Sequence, residues 1–407
     1  MDRRDFMLGA AAIGGASALM GQAAVASPAV PAAAATASTT AMQALLRNIG
    51  ELQAQYLSPA YGITSAADIA EGQRLVLHLL NTALNFWLEA DPEHPVWTSY
   101  TQPSRKLLGD NPDALYYFAA VRGDRSYRIR GNLAGATFTS FTVEGGSGAG
   151  NAAGKSTAAL DDMDMQVDQD GNYEIIASTT RPASGNWLPL AGDSGQITTR
   201  HYYETRNNIV NQTAFQVPLR IEAIDALPLA PAPGDAEIAR RIDTVSRFVG
   251  AMLAMTVASS AAGNAAPSWF SKVPNSFNAP GKWVSETGYG NLHAHYAAAP
   301  FVLMPDEALL IEGELPQCRF ANLVLWNRYM QTFDYTRRQV SLNRAQMAFD
   351  ANGHYTLVLA HRDPGLPNWL DTEGRVSGIM YWRFLLASGT VPTPRARVVK
   401  FAEIAKA

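Results

Sequence analysis

This sequence predicts a mainly β protein with helical segments (α+β), built from two internally duplicated β-sandwich or jelly-roll-like repeats, each preceded by helices. Three observations carry that expectation. The chain matches itself when slid by 182 positions. Short alternating apolar runs are separated by hairpin-turn residues. Longer stretches with helical apolar spacing stand before each set of runs.

The duplication rests on particular residues. Asp168, Gly171 and Tyr173 fall on Asp350, Gly353 and Tyr355, and Asn186-Trp187-Leu188 falls on Asn368-Trp369-Leu370. Ile129, Gly131, Phe138, Leu160 and Pro182 fall on Ile311, Gly313, Phe320, Leu342 and Pro364. The turns Asp168-Gln169-Asp170-Gly171 and Asp350-Ala351-Asn352-Gly353 suit hairpins, because Asp-Gly and Asn-Gly tolerate positive φ at low cost. Strands are expected at 126–130, 136–143 and 173–176, and again at 309–312, 319–326 and 355–359. The two sandwiches should cover about 112–225 and 300–400. Trp187 and Trp369, present in both repeats, read as core pins.

The helical segments follow the same logic. Leu45, Leu46, Ile49, Leu52 and Tyr56 make one stripe. Leu75, Val76, Leu79, Leu80, Leu84, Trp87 and Leu88 make a second, ended by Asp91-Pro92. Asp235 suits an N-cap for a third, through Ile238, Ile242, Val245, Val249 and Leu253. Residues 227–234, with three prolines, read as the linker between the repeats. The expected organisation is a signal peptide over 1–26, a disordered tether over 27–38, helices plus the first sandwich over 39–226, that linker, and a helix plus the second sandwich over 235–407.

The signal peptide is of the twin-arginine kind. Arg3-Arg4 is followed by Asp5-Phe6-Met7-Leu8 and an Ala/Gly-rich apolar run, and Ala24-Val25-Ala26 suits cleavage near Ala26. The expected location is the periplasm, and the expected partner at that step is the twin-arginine export machinery. No stretch of the mature chain is long and apolar enough for an integral membrane span. A formal charge of -4 gives no basic face for nucleic acid. Cys318 is the single cysteine, which excludes an internal disulfide and a cysteine-built zinc or iron–sulfur site.

Asp110-Asn111-Pro112-Asp113-Ala114-Leu115-Tyr116 resembles the opening of a bacterial family catalogued as domain of unknown function 1214. His361-Arg362-Asp363-Pro364-Gly365 with Pro367-Asn368-Trp369-Leu370-Asp371-Thr372 resembles its C-terminal signature, and Asp306-Glu307-Ala308-Leu309 and Trp326-Asn327-Arg328 fit the same pattern. The resemblance implies a β-sandwich fold and supplies no reaction.

Candidate chemistry is sought where the repeats differ. His361, Arg362 and Asp363 replace Thr179-Thr180-Arg181 and combine a base, an anion-stabilising cation and an orienting carboxylate. The structural alternative has Asp363 capping a turn before Pro364 and Arg362 paired with a nearby carboxylate. His293 and His295 fall where the first repeat has Asn111 and Asp113, and on a strand they would share one face. With Glu286 and His361 they could hold a divalent metal; no other cofactor is evident. Trp269, Trp283 and Tyr289 are candidates for stacking on a ligand, with Arg328 beside them as a binding cation. No nucleophile elbow, Walker loop or dinucleotide fingerprint occurs, and the glycine-rich 145–150 stretch reads as a flexible hairpin loop after an edge strand. The function read from this is action on a small organic or carbohydrate-like molecule, by hydrolase- or lyase-type acid/base chemistry in the second repeat. The alternative is a non-catalytic periplasmic ligand-binding or assembly protein.

Overall fold

The computed structural model describes residues 35–225, 228–229, 231–261, 266–283 and 289–406. The expected signal peptide, residues 27–34 of the expected tether and Glu286 lie outside these residues, and the helices and sheets belong to the unit that begins at Ala37.

Three α-helices lie among the described residues. Helix α1 (Ala37–Tyr56) takes up the last two positions of the expected tether. Helix α2 (Ala66–Ala83) starts on Ser65, whose hydroxyl accepts the Asp68 N–H at 3.0 Å. It continues into a π-helical turn, Leu84–Leu88, that buries Phe86 and Trp87. Helix α3 (Asp235–Ala261) lies beside α1, and here the capping expectation is corrected. The Asp235 carboxylate accepts the N–H groups of Ala37 and Ser38 at 2.8 and 3.1 Å, so it caps α1. That placement satisfies orphan donors at the positive end of α1's dipole. Leu45, Leu75, Leu79, Ile242, Val245, Val249 and Leu253 share one buried cluster, whereas Leu46 is exposed.

The strands of the first repeat are β1 (Thr98–Ser99), β2 (Ala114–Ala120), β3 (Tyr127–Asn132), β4 (Phe138–Gly145), β5 (Lys155–Asp161), β6 (Asn172–Ser178), β7 (Asn186–Pro189), β8 (Ser194–Tyr202) and β9 (Leu219–Ala223). Those of the second are β10 (Gly281–Lys282), β11 (Ala294–Val302), β12 (Glu307–Glu314), β13 (Phe320–Trp326), β14 (Ser341–Asn343), β15 (His354–Ala360), β16 (Trp369–Asp371), β17 (Ser377–Leu385) and β18 (Arg395–Lys400). Each repeat is a sandwich of two sheets. The orders β1-β2-β8-β4-β5 and β7-β6-β3-β9 recur as β10-β11-β17-β13-β14 and β16-β15-β12-β18. The second sandwich thus begins at β10, before residue 300.

The matched residues hold the same contacts in both copies. Asn186 donates to the carbonyls of Gln166 and Glu174 and accepts the Gln166 N–H. Asn368 does the same with Ala348, Thr356 and Ala348. The indole N–H groups of Trp187 and Trp369 donate to the Ser178 and Ala360 carbonyls at 3.1 and 3.2 Å. Gly131 and Gly313 lie under the rings of Tyr173 and Tyr355, where a Cβ would come within 2.4 and 2.7 Å of the phenol oxygens.

Ile129, Phe141, Ile175 and Ile197 fill the first sandwich, and Phe301, Leu309, Leu323, Leu357 and Trp382 fill the second. The two five-stranded sheets then share a further core that includes Phe138, Tyr202, Tyr296, Phe320, Trp326 and Tyr381. The 145–150 stretch departs from expectation. It follows β4, which is paired on both sides, and it is pinned beneath α3 by Arg247 donating to the Ala149 carbonyl. Gly150, at φ +81°, leaves a Cβ only 2.2 Å from the Thr244 carbonyl oxygen, so glycine permits the close approach.

Candidate functional site

The His361, Arg362 and Asp363 side chains are engaged separately. His361 Nδ1 lies 2.7 Å from the Thr372 hydroxyl and Nε2 lies 3.1 Å from the Met304 carbonyl. The carbonyl can only accept, so Nε2 carries the proton and Nδ1 accepts from Thr372. Both ring nitrogens are therefore occupied. Arg362 stacks on Phe401 at 4.1 Å, and Asp363 accepts the Gly365 N–H at 2.7 Å in an Asx turn. Asp363 thus caps a turn, as in the structural alternative, whereas Arg362 meets the Phe401 ring instead of a carboxylate.

His293 precedes β11 instead of lying on it, so the shared strand face with His295 does not form. Its Nε2 sits 3.0 Å from the Asp161 carboxylate of the first repeat. His295 pairs in register with Lys282 on β10. His361 contacts Met304, just past the far end of β11 from His293, which separates these two as joint ligands. Among the described residues no three His, Cys, Asp or Glu side chains are placed to hold a metal ion.

The aromatic candidates are built into the fold. Trp269 is 3% exposed and packs on Tyr296 and Tyr381. Trp283 is half-buried against Trp269 and Tyr296. The Tyr289 hydroxyl accepts the Ala153 N–H, and its carbonyl accepts from Arg200. Arg328 clamps the Tyr61 and Gly62 carbonyls and the Asp68 carboxylate, tying α2 to the second repeat. The Cys318 thiol is pushed up to about 11, chiefly by burial, which leaves little thiolate for nucleophilic chemistry.

A different place gathers charge. Arg74 on α2, Pro103, Ser104 and Lys106 before β2, and Asp334, Thr336 and Arg337 after β13 line an open cleft of about 540 Å³. Lys106 is buried, and its ammonium donates to the Thr332 and Phe333 carbonyls at 2.8 and 2.7 Å, 4.1 Å above the Tyr335 ring. Burial pushes its amine below the usual lysine value, with Asp110 acting in the opposite direction. Behind it, His78 Nδ1 accepts the Lys106 N–H at 2.7 Å, and burial lowers that ring to about 4, so it is neutral at pH 7. Arg337 is paired with Asp334 at 2.9 Å. Arg74 makes no ion pair or hydrogen bond among the described residues. Asp110 and Glu373 also act on Lys106, so Arg74 is the lining cation left to meet an anion. Sequence reading missed Arg74, Lys106 and Arg337, since none belongs to a motif and only the tertiary fold brings them together.

Fold and cleft together define a duplicated double β-sandwich protein with a cationic cleft shared by its two repeats. Residues 119–206 match the family described as "Protein of unknown function (DUF1214)". The matched stretch lies within the first repeat. The chain is similar to an uncharacterized protein of known crystal structure from Burkholderia cenocepacia, at 29% identity and TM-score 0.79, over 90% of this chain and 98% of that one. A protein from Vibrio parahaemolyticus shares the fold at 11% identity and TM-score 0.50, over 81% of this chain and 98% of that one. No curated protein matches.

Proposed function

We propose that this is an exported, non-catalytic binding protein that holds a small organic acid or acidic sugar in the Arg74–Lys106–Arg337 cleft. The observation that carries the reading is Arg74, a guanidinium without a partner among the described residues, at an open cleft that also contains Lys106 and Arg337. A guanidinium recognises a carboxylate by paired hydrogen bonds, and a half-open cleft leaves room for the rest of a small molecule. Binding is favoured over hydrolase- or lyase-type chemistry because His361, Arg362 and Asp363 each serve a separate local contact. Export through the twin-arginine route to the periplasm rests on Arg3-Arg4 and the Ala24-Val25-Ala26 cleavage pattern. Replacement of Arg3-Arg4 by Lys-Lys should retain the precursor in the cytoplasm; normal export of that variant would refute the route.

The binding reading is tested by melting the protein with succinate, citrate and galacturonate. At least one acid should raise the melting temperature saturably in the wild type, and the Arg74→Ala/Arg337→Ala double variant should lose that response. An unchanged response in the double variant, or none in the wild type to any of the three acids, removes the cleft as the site.

A further inference from the structure

The carboxylates beside Arg74 are each held by another arginine. Glu71 stands one helical turn before Arg74 on α2, the i,i+3 spacing at which side chains are neighbours and pair. Its carboxylate is instead taken by Arg375, whose Nη1 donates to Glu71 Oε1 in a half-buried ion pair. Asp334, which lines the same cleft, is taken by Arg337 at 2.9 Å and by the Thr336 hydroxyl. Arg74 is thereby left without a counter-charge among the described residues, although a carboxylate stands on its own helix.

Arg375 is fixed in place by the turn that carries it. Its Nε donates to Glu373 Oε2 at 3.1 Å, and its guanidinium lies 4.7 Å from the Phe333 ring centre. Glu373 accepts the Asp334 N–H through its other oxygen, which ties the turn to the cleft wall. Glu373 at φ +57° and Gly374 at φ +71° are both left-handed, and the Arg375 N–H donates to the Thr372 carbonyl. A glutamate in that region is strained and persists only where surrounding contacts hold it. In the first repeat the loop between β7 and β8 is Leu190-Ala191-Gly192-Asp193, with neither a glutamate nor an arginine. Joining these two strands therefore does not require the Glu373–Arg375 pair, and the pair belongs to the repeat that lines the cleft.

We infer that Arg375 is a positioning residue that occupies Glu71 and so keeps the Arg74 guanidinium free for an anionic ligand, a role that rests on the cleft being an acid-binding site. Without Arg375, the Glu71 carboxylate is released within reach of Arg74, pairs with it and competes with the ligand's carboxylate for the same donors. Arg375 is not among the residues that line the cleft and acts through Glu71 alone.

One test needs no ligand. The side-chain Nε–H resonance of Arg74, identified by its loss in Arg74→Ala, is followed in nitrogen–proton correlation spectra. Arg375→Met should move it, and Glu71→Gln/Arg375→Met should return it to the wild-type position. An unmoved resonance in Arg375→Met overturns the inference whether or not any acid binds. If Arg375→Met does not fold, Arg375→Gln should move the resonance in the same way. Calorimetric titration of galacturonate gives the second readout. Arg375→Met should weaken binding roughly threefold, Glu71→Gln should bind at least as tightly as the wild type, and the double variant should recover the loss. A loss that the double variant does not recover gives Arg375 a merely structural role and also overturns the inference. A wild type that binds no acid refutes the acid-binding reading of the cleft instead, and the Arg74 resonance alone then decides whether Arg375 keeps that guanidinium free.

Discussion

Asp113 and His293 occupy the same place in the two repeats and reach across the interface in opposite directions. Asn111 and Asn291 accept the N–H groups of Asp113 and His293 at 3.1 and 2.9 Å, which fixes the equivalence. Asp113 then takes the amides of Asn322 and Asn343 on β13 and β14, whereas His293 meets Asp161, the counterpart of Asn343 on β5. The ungapped comparison aligns His295 with Asp113; between β2 and β11 the true offset is two residues shorter, and it is His293 that takes the acidic residue's place.

This reciprocal latch predicts a stability cost on each side. Asp113→Ala takes one acceptor from each of the Asn208, Asn322 and Asn343 amides, three hydrogen bonds in all, and should cost about 2–4 kcal/mol in urea unfolding. A cost below about 0.5 kcal/mol would show that the latch does not hold the repeats together.

The other half of the latch is sensitive to acid. Burial alone would raise the Asp161 carboxyl, but the His293 and Met163 hydrogen bonds outweigh it and hold the group below its usual value. A carboxyl lowered in the folded state contributes stability above its unfolded value and loses it as pH falls through the folded one. His293→Ala should therefore lower stability at neutral pH and shift the acid unfolding midpoint upward. An unmoved acid midpoint would contradict the pairing.

His78 gives a second pH window with a different range. Its ring is lowered from 6.5 to about 4, mainly by burial, so the folded protein binds fewer protons than the unfolded chain between those values. Stability should fall as pH drops from 6.5 to about 4, by on the order of 3 kcal/mol, and then level off. His78→Asn keeps an acceptor for the Lys106 N–H without a titrating ring. Melting curves of this variant should be flatter across that window; an identical slope would assign it to other groups.

The paired asparagines test the duplication itself. Asn186→Ala and Asn368→Ala each remove the same three hydrogen bonds and should cost about 2–4 kcal/mol apiece. Calorimetric unfolding of the two variants compares them directly, and a cost confined to one repeat would show that the matched motif no longer does the same work in both.

Much of this architecture was legible because its signals are local. Asp-x-x-Gly-x-Tyr marks a hairpin and the strand that covers Gly131 or Gly313, and Asn-Trp-Leu marks the parallel strand fastened to it. The site was not legible, for the opposite reason. Arg74, Lys106 and Arg337 come from a helix, a loop and a second repeat, and no spacing relates them. The histidines stand out in the sequence by being scarce, yet His293 is the interface partner of Asp161 and His361 serves Thr372 and Met304.

Calorimetric titration of galacturonate into the wild type, Arg74→Ala and His361→Ala tests the central claim most directly. The cleft predicts equal affinity for the wild type and His361→Ala and about tenfold weaker binding for Arg74→Ala, near 1.4 kcal/mol. Binding that survives Arg74→Ala and vanishes in His361→Ala would contradict it and return the function to the second repeat's histidine.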